Sequence, residues 1–334
     1  MPLFVQVILY SGFISSEVTN LVLLWLIVTK SSSSLGSYKY IMMSYAVFSI
    51  VYGVIDIMTQ PITHVSGACL FIYVDSFLKY EKSISLVLVG LYCATFGSCI
   101  LLLAIHFVYR FFAICRTQDL HRFQGANLLL FYTIPVTFSI LWFFTITFLM
   151  APSDLKSEYM RNSIAVNYFE DTSKIAYTAI LYYHTNLSGQ LVINWLDFAA
   201  AFFFCGVMQI CIIIMSVCGW KIYRKMKQAE GLMSEKTKEL NSQLFRTLIL
   251  QTLIPLCTMF APVGIVIIIP MFSIDIGKFS NAPVLYTGFY PALDALIVIF
   301  MIRDYRNAVL CRKPKKILST VVQPGARHSY ASSD

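Results

Sequence analysis

The residues able to do chemistry are few, and most of them lie inside long apolar runs. Glu17 and Asn20 are three apart, Asp56 and Gln60 four apart with His64 beyond them, Asp197 opens one apolar stretch and Asp294 lies near the middle of another. Spacings of three and four put each pair on one face of a helix. A polar or ionisable group in lipid is costly, so it turns to a bundle interior, where it bonds across helices or meets a ligand. Packing is the simpler reading for Glu17, Asn20 and Asp294. Asp56, Gln60 and His64, which climb the outer half of their run, are candidates to face a ligand. Enzyme chemistry has no footing here: the sequence holds no phosphate-binding glycine loop, no Cys or His cluster at metal spacing and no nucleophile elbow. His106 and His121 are isolated, and no cofactor or metal is implied.

The elements that must position these residues follow from composition. The 334 residues are 58% hydrophobic, 15% aromatic and 13% charged, with a mean hydropathy of +0.71. A water-soluble domain needs more polar surface than this, whereas lipid solvates apolar side chains and demands that every backbone group be paired within its own helix. Apolar runs long enough to cross about 30 Å of hydrocarbon fall near 3–28, 40–64, 83–110, 127–151, 197–220, 247–271 and 284–302. The expected fold is therefore an all-α membrane protein, a seven-transmembrane helix bundle over 1–302 with a tail over 303–334. Lys and Arg concentrate after spans 1, 3 and 5 and in the tail, as in Lys30, Lys39, Arg110, Arg116, Arg122, Lys221, Arg224 and Arg303 through Arg327. Positive loops stay inside, so the N-terminus is extracellular and the C-terminus cytoplasmic.

The net charge of +8 thus belongs to the cytoplasmic face, where it attracts anionic lipid and a cytosolic partner; no basic patch interleaved with aromatics points to nucleic acid. The first span lacks a basic leader, and Glu17 and Asn20 interrupt it, so it reads as an uncleaved helix. Cys69 is the one clearly extracellular thiol, and the loop from Pro152 to Leu196 holds no cysteine. In that loop Asn186-Leu187-Ser188 forms a glycosylation sequon. Lys221 to Arg246 is polar and helix-forming, and it suits either a docking segment or a solvated linker. Cys311, beside Arg312-Lys313-Pro314-Lys315-Lys316, is a palmitoylation candidate, and each basic neighbour gains on the order of 1 kcal/mol from anionic lipid. Ser319, Thr320, Ser329, Ser332 and Ser333 are phosphate acceptors in a tail of disordered composition. Prolines 61, 135, 255, 262 and 291 free backbone carbonyls and bend their helices, which makes span 6, with Pro255 and Pro262, a candidate hinge.

Several stretches, taken in order and spacing, resemble the nematode Str family of seven-transmembrane chemoreceptors, G-protein-coupled receptors also called serpentine receptors of class r. They are Gly36-Ser37-Tyr38-Lys39-Tyr40 entering span 2 with Asp56 and Gln60-Pro61 inside it, and His106-Phe107-Val108-Tyr109-Arg110-Phe111 closing span 3, followed by Ala113-Ile114-Cys115-Arg116. Gln251-Thr252-Leu253-Ile254-Pro255 and Pro262-Val263-Gly264 continue the likeness in span 6, and Tyr290-Pro291-Ala292-Leu293-Asp294 with Asp304-Tyr305-Arg306 complete it around span 7. The family usually follows the span 7 aspartate with proline; Ala295 stands there instead and implies a straighter helix.

The resemblance implies a receptor that binds a small-molecule odorant in the outer half of the bundle and activates a heterotrimeric G protein, placed in the plasma membrane, in the cilia of chemosensory neurons. Asp56, Gln60, Tyr92, Phe96 and Tyr286 are the expected ligand-lining residues, between spans 2, 3, 5, 6 and 7. His106, Tyr109, Arg110, Pro255, Asp294, Tyr305 and Arg306 are the expected coupling and switch residues. His106 is not acidic, so any restraint on Arg110 must come from elsewhere than a neighbouring carboxylate. Span 7 has no lysine for a retinal Schiff base, which argues against light sensing. The disulfide that ties the long outer loop to span 3 in rhodopsin-like receptors has no partner in this loop. A ligand-gated channel or transporter of seven spans is the competing class; it would carry the opposite orientation or inverted repeats, and neither is visible. An accessory membrane protein without a ligand remains the third reading.

Overall fold

The computed structural model describes residues 3–31, 35–123, 125, 127–186, 188–229 and 235–312. Among the described residues, seven helical rods are long and apolar enough to cross a membrane. Spans 1, 2 and 3 are α1 (Leu3–Lys30), α2 (Tyr38–Thr59) and α3 (Lys82–Cys115). Span 4 comprises α4 (Asn127–Phe131), α5 (Thr133–Phe144) and a π-helical turn Thr145–Leu149. Beyond it lies α6 (Asp154–Tyr168), capped by Ser153 and outside the bundle. Span 5 is α7 (Trp195–Gln228). Span 6 comprises α8 (Glu235–Pro255), a π-helical turn Leu256–Phe260 and α9 (Ala261–Ile268). Span 7 comprises α10 (Ala282–Thr287) and α11 (Tyr290–Met301), after which α12 (Arg303–Val309) turns away.

Side-chain burial agrees with a lipid-facing exterior. On span 1 the apolar residues Val7, Ile14, Val18, Leu21, Trp25 and Val28 stay exposed along one stripe, while Leu9, Asn20, Leu23, Leu26 and Ile27 are buried. A stripe of that kind is a liability in water and the normal surface of a membrane helix. The helix interruptions follow from proline. Pro255, Pro262 and Pro291 cannot bond the carbonyls of Gln251, Thr258 and Thr287 four residues back, and span 6 widens into its π turn between the first two. Span 7 breaks at Gly288-Phe289, one turn before Pro291. Gly288 is also where spans 1, 2 and 7 meet: a Cβ there would lie 3.2 Å from the Asp56 carboxylate, and one on Gly12 would lie 3.1 Å from the Gly288 carbonyl. Past Asp294 the helix continues without interruption to Met301, with Ala295 fully buried.

The outer face carries β structure that an all-α reading omits. Span 2 ends at Thr59, short of the expected residue 64, because Gln60 takes a left-handed conformation (φ 44°) and Pro61 cannot continue the helix. The chain then forms β1 (Pro61–Ser66) and β2 (Cys69–Val74), which pair with β3 (Tyr177–Leu181) in an antiparallel sheet of order β1-β2-β3. A separate hairpin joins β4 (Tyr183–Thr185) to β5 (Leu191–Ile193), with Asn186 at its turn. Register places Thr63 opposite Ile72 and Val65 opposite Leu70, which in turn faces Ile180. These residues line one face of the sheet and pack on the bundle. Phe71, Tyr73, Tyr177, Ala179 and Leu181 form the other face and pack with Met160 and Ile164 of α6. The cap is thus bundle, sheet and helix, in that order.

Candidate functional site

A cavity of about 80 Å³ lies directly beneath this sheet. Span 3 contributes Tyr92, Cys93 and Phe96, span 4 Trp142, Ile146 and Met150, span 5 Phe204, and span 6 Val263, Val266 and Ile267. Ser280, Pro283 and Val284 close it at the top of span 7, and Thr63, Leu70, Ile72 and Ile180 form its roof. The wall is apolar and aromatic, the general character of small-molecule sites. Phe96 meets Phe260 edge-on at 5.4 Å, and Trp142 packs against Phe204 at 4.6 Å. Trp142 reaches this wall because Gly97 leaves room: a Cβ there would lie 2.7 Å from the indole. The Tyr92 hydroxyl bonds Thr287 Oγ1 at 3.3 Å, which links the cavity floor to span 7.

Of the expected lining residues, the structure brings Tyr92 and Phe96 to the cavity and leaves three elsewhere. Tyr286 is 61% exposed on the outside of α10. Gln60 is buried as the cap of span 2 and joins the sheet through its carbonyl, which accepts from Asp75 N at 3.2 Å. Asp56 is buried beside Gly288, with Oδ1 unbonded among the described residues. The expected participation of span 2 gives way to span 4, because that helix stops before the cavity and its place is taken by β1. Sequence reasoning did not single out Trp142, whose only cue is an aromatic residue facing a glycine-bearing helix.

The cap is pinned at both sheet edges, which removes the exposed backbone groups an edge strand would present. On the β1 side Thr63 N donates to Asn281 Oδ1 (2.7 Å), Ser280 Oγ donates to the Thr63 carbonyl (2.8 Å), and Gly277 N donates to the Val65 carbonyl (3.0 Å). On the β3 side Ala179 N donates to the Met150 carbonyl (3.0 Å). There Lys156 Nζ bonds both the Ala179 carbonyl (2.7 Å) and Asp197 Oδ1 (3.0 Å), while Asp197 Oδ2 accepts from Leu181 N (2.9 Å). All nine cysteines are free, and burial pushes the Cys69 thiol well up. Lys79 is held above its ordinary range: partial burial works against the ammonium, but Glu170 at 2.6 Å and Asp75 at 3.5 Å outweigh it. His64, on the face of β1 turned to α6, bonds Ser163 Oγ at 2.8 Å. Burial lowers its pKa from 6.5, with smaller and opposed effects from Asp275 and Lys278.

Midway through the bundle polar groups join the helices pairwise. Gln251 Nε2 donates to Asp294 Oδ2 at 2.9 Å, across from span 6 to span 7. Asn20 Nδ2 donates to the Pro291 carbonyl at 3.1 Å, and the hydroxyls of Tyr45 and Tyr290 bond one another. The same proline that bends span 6, Pro255, lies one turn from Gln251. Glu17 bonds no described residue through Oε1, which lies against Gly53.

At the inner end Arg110 is buried and gathers three spans. Its Nη2 donates to Asn241 Oδ1 on span 6 at 3.0 Å, and its guanidinium lies 5.3 Å from the Tyr38 ring centroid at the start of span 2. Tyr38 stacks on Tyr109 (5.5 Å), and its hydroxyl meets His106 Nδ1 at 3.3 Å. The arginine is therefore held by an amide and an aromatic face, in keeping with the missing acid at position 106. Tyr305 on α12 is fully buried and bonds Ser31 Oγ at 2.7 Å; burial raises its pKa. Arg306 donates to the Phe300 carbonyl at 3.1 Å, and Cys311 is exposed just past α12. Asn186 Oδ1 accepts from Ser188 N and Gln190 N, which orders the sequon's turn. Ser319, Thr320, Ser329, Ser332 and Ser333, with Lys313, Lys315, Lys316 and Arg327, lie outside the described residues.

A seven-helix bundle with a roofed outer cavity and an arginine-centred contact between spans 3 and 6 has the architecture of a G-protein-coupled receptor. The fold is similar to that of squid rhodopsin in its crystal structure, at a TM-score of 0.60 and 11% identity, over 91% of this chain and 83% of that one. The family model described as "Serpentine type 7TM GPCR chemoreceptor Str" matches residues 5–310. The chain is 32% identical to Serpentine receptor class r-10 of Caenorhabditis briggsae over 303 residues, covering 89% of this chain and 87% of that protein. It is likewise 32% identical to Serpentine receptor class r-10 of Caenorhabditis elegans (89% and 88% covered) and 25% identical to G-protein coupled receptor str-33 of that organism (89% and 87%). The chain belongs to the Str family of serpentine seven-transmembrane chemoreceptors, a multi-pass membrane protein and not an enzyme.

Proposed function

We propose that this receptor takes a small odorant of low polarity into the roofed cavity and relays its presence to a heterotrimeric G protein at the cytoplasmic end. The observation that carries the reading is the Arg110–Asn241 bond, because it ties span 3, which floors the cavity, to span 6, which carries the π turn. A ligand shifts an equilibrium only by its differential affinity for two states, and a 100-fold preference amounts to about 2.7 kcal/mol. Contacts on Phe96 and on Val263 bias spans 3 and 6 apart at Pro255. Outward movement of α8 breaks the Arg110–Asn241 bond and frees the guanidinium for the C-terminal helix of a G-protein α-subunit, whose carbonyl end is partially negative. Asp294, through Gln251, restrains the same helix from span 7, and Tyr305 and Arg306 hold α12 beneath it.

The site of action is the plasma membrane of chemosensory cilia, with Asn186 glycosylated outside and the basic face and an acylated Cys311 held to the inner leaflet by lipid. Arg110→Ala at equal surface level is expected to retain ligand binding and lose G-protein activation. Unchanged nucleotide exchange on the α-subunit by that variant would overturn the proposal. Ligand-evoked current from the purified protein in liposomes without G protein would favour a channel instead.

A further inference from the structure

A second and larger cavity, of about 540 Å³, opens on the outer rim between the tops of spans 1 and 7 and the cap. Leu9, Ile62, Tyr168, Lys278 and Asn281 are among its walls. It is separated from the roofed cavity by one layer of residues. Val284 lines both spaces. On either side of it, neighbouring residues face opposite ways: Ile62 to the vestibule and Thr63 to the cavity, Asn281 to the vestibule and Ser280 to the cavity.

Resting on the reading of the roofed cavity as the odorant site, we propose that this rim pocket is a second small-molecule site in series with it, and that Val284 with the Thr63–Asn281 strap is the size-selecting neck between them. The direct path from above is closed: the three-stranded sheet covers the cavity, bonded across both strand pairs and buried on both faces. At Thr63 the neck is held by side-chain bonds, beside one backbone bond from Gly277 N to the Val65 carbonyl. Asn281 accepts from Thr63 N at 2.7 Å and donates to the Tyr168 hydroxyl at 2.9 Å, and Ser280 Oγ reaches the Thr63 carbonyl at 2.8 Å. Side-chain bonds of this kind break locally without unfolding a sheet.

The vestibule also selects by charge. Its ionic groups are engaged, with Lys79 on Glu170 and Lys278 over the Tyr168 ring at 5.6 Å, and the way onward is past an isopropyl group. A charged molecule would have to shed its hydration there without a counter-ion. The ligand class is therefore a small uncharged molecule, held first at the more polar rim and then in the apolar cavity.

Native Cys93 on the cavity wall reports entry without any knowledge of the odorant or of signalling. Purified receptor is treated with ethylmercury chloride, a small neutral thiol reagent, and labelling of each cysteine is followed by peptide mass spectrometry, with exposed Cys257 as the internal control. Asn281→Ala is expected to speed Cys93 labelling roughly tenfold by removing two of the strap's bonds. Val284→Ala is expected to speed it and Val284→Trp to slow it, with Cys257 unchanged in all three. Cys93 labelling that ignores both positions but slows in Val266→Trp would place entry at span 6 and overturn the proposal, as would failure of Cys93 to react in Asn281→Ala while Cys257 reacts fully. Loss of signalling in Arg110→Ala bears on the receptor reading and not on this route, so the two fail separately.

Discussion

At the scale of single residues, the molecule exchanges the usual acidic partner of an inner arginine for an amide. Asn241 holds Arg110 by one charge-assisted hydrogen bond, a contact of about 1.5–3 kcal/mol. Asn241→Ala is therefore expected to raise ligand-independent G-protein activation several-fold while Asn241→Asp lowers it, as read by basal nucleotide exchange at matched expression. His64 offers a different handle. Its pKa is lowered by burial from 6.5, so the unfolded chain takes up the proton more readily than the folded cap. Its contribution to stability is complete above 6.5 and is lost as pH falls from there through the folded value. Protection of the β1 amides from hydrogen exchange, taken against the intrinsic rate at each pH, is expected to fall between about pH 7 and pH 5 beyond the change seen in His64→Gln. Tyr92 and Phe96 were legible as lining residues because they lie on one face of an unbroken helix. Tyr286 was not, since helical phase counted back from Asp294 runs through the break at Gly288-Phe289.

At the scale of elements, all seven spans were legible because length and apolarity are what lipid selects. The strands of the cap were hidden for a related reason. Cys69–Val74 and Tyr177–Leu181 are covered on both faces, so they show continuous apolar character without the alternation that marks a half-buried strand. In a chain full of apolar runs, such short ones read as loop. Gln60 was misplaced with them, since the helix that would have carried it onto the face of Asp56 ends at Thr59. The ion pair of Lys156 and Asp197 joins α6 to the top of span 5 from positions 41 apart, and a local reading, which marks Asp197 at the start of the span and Lys156 as loop charge, does not pair them. Breaking a buried pair by removing one partner costs about 3–5 kcal/mol, because the other charge stays buried. Asp197→Leu is expected to lower the thermal midpoint and expose the α6 segment to protease, with Lys156→Met in the same chain restoring most of the loss.

At the scale of the whole molecule, the apolar cluster of the outer half and that of the inner half share span 3, which runs from the cavity floor to Arg110. In the proposed mechanism the two halves communicate by motion of span 6 about its π turn, next to Pro255, which denies Gln251 a backbone bond. The outer tier has a further consequence. Where a roof of this kind is usually stapled by sulfur, here amide, ammonium and carboxylate groups hold it, and every thiol is free. Exposure to dithiothreitol is therefore expected to leave the melting behaviour of this receptor untouched, whereas acid should loosen its lid: a sensor fit for chemically reducing surroundings.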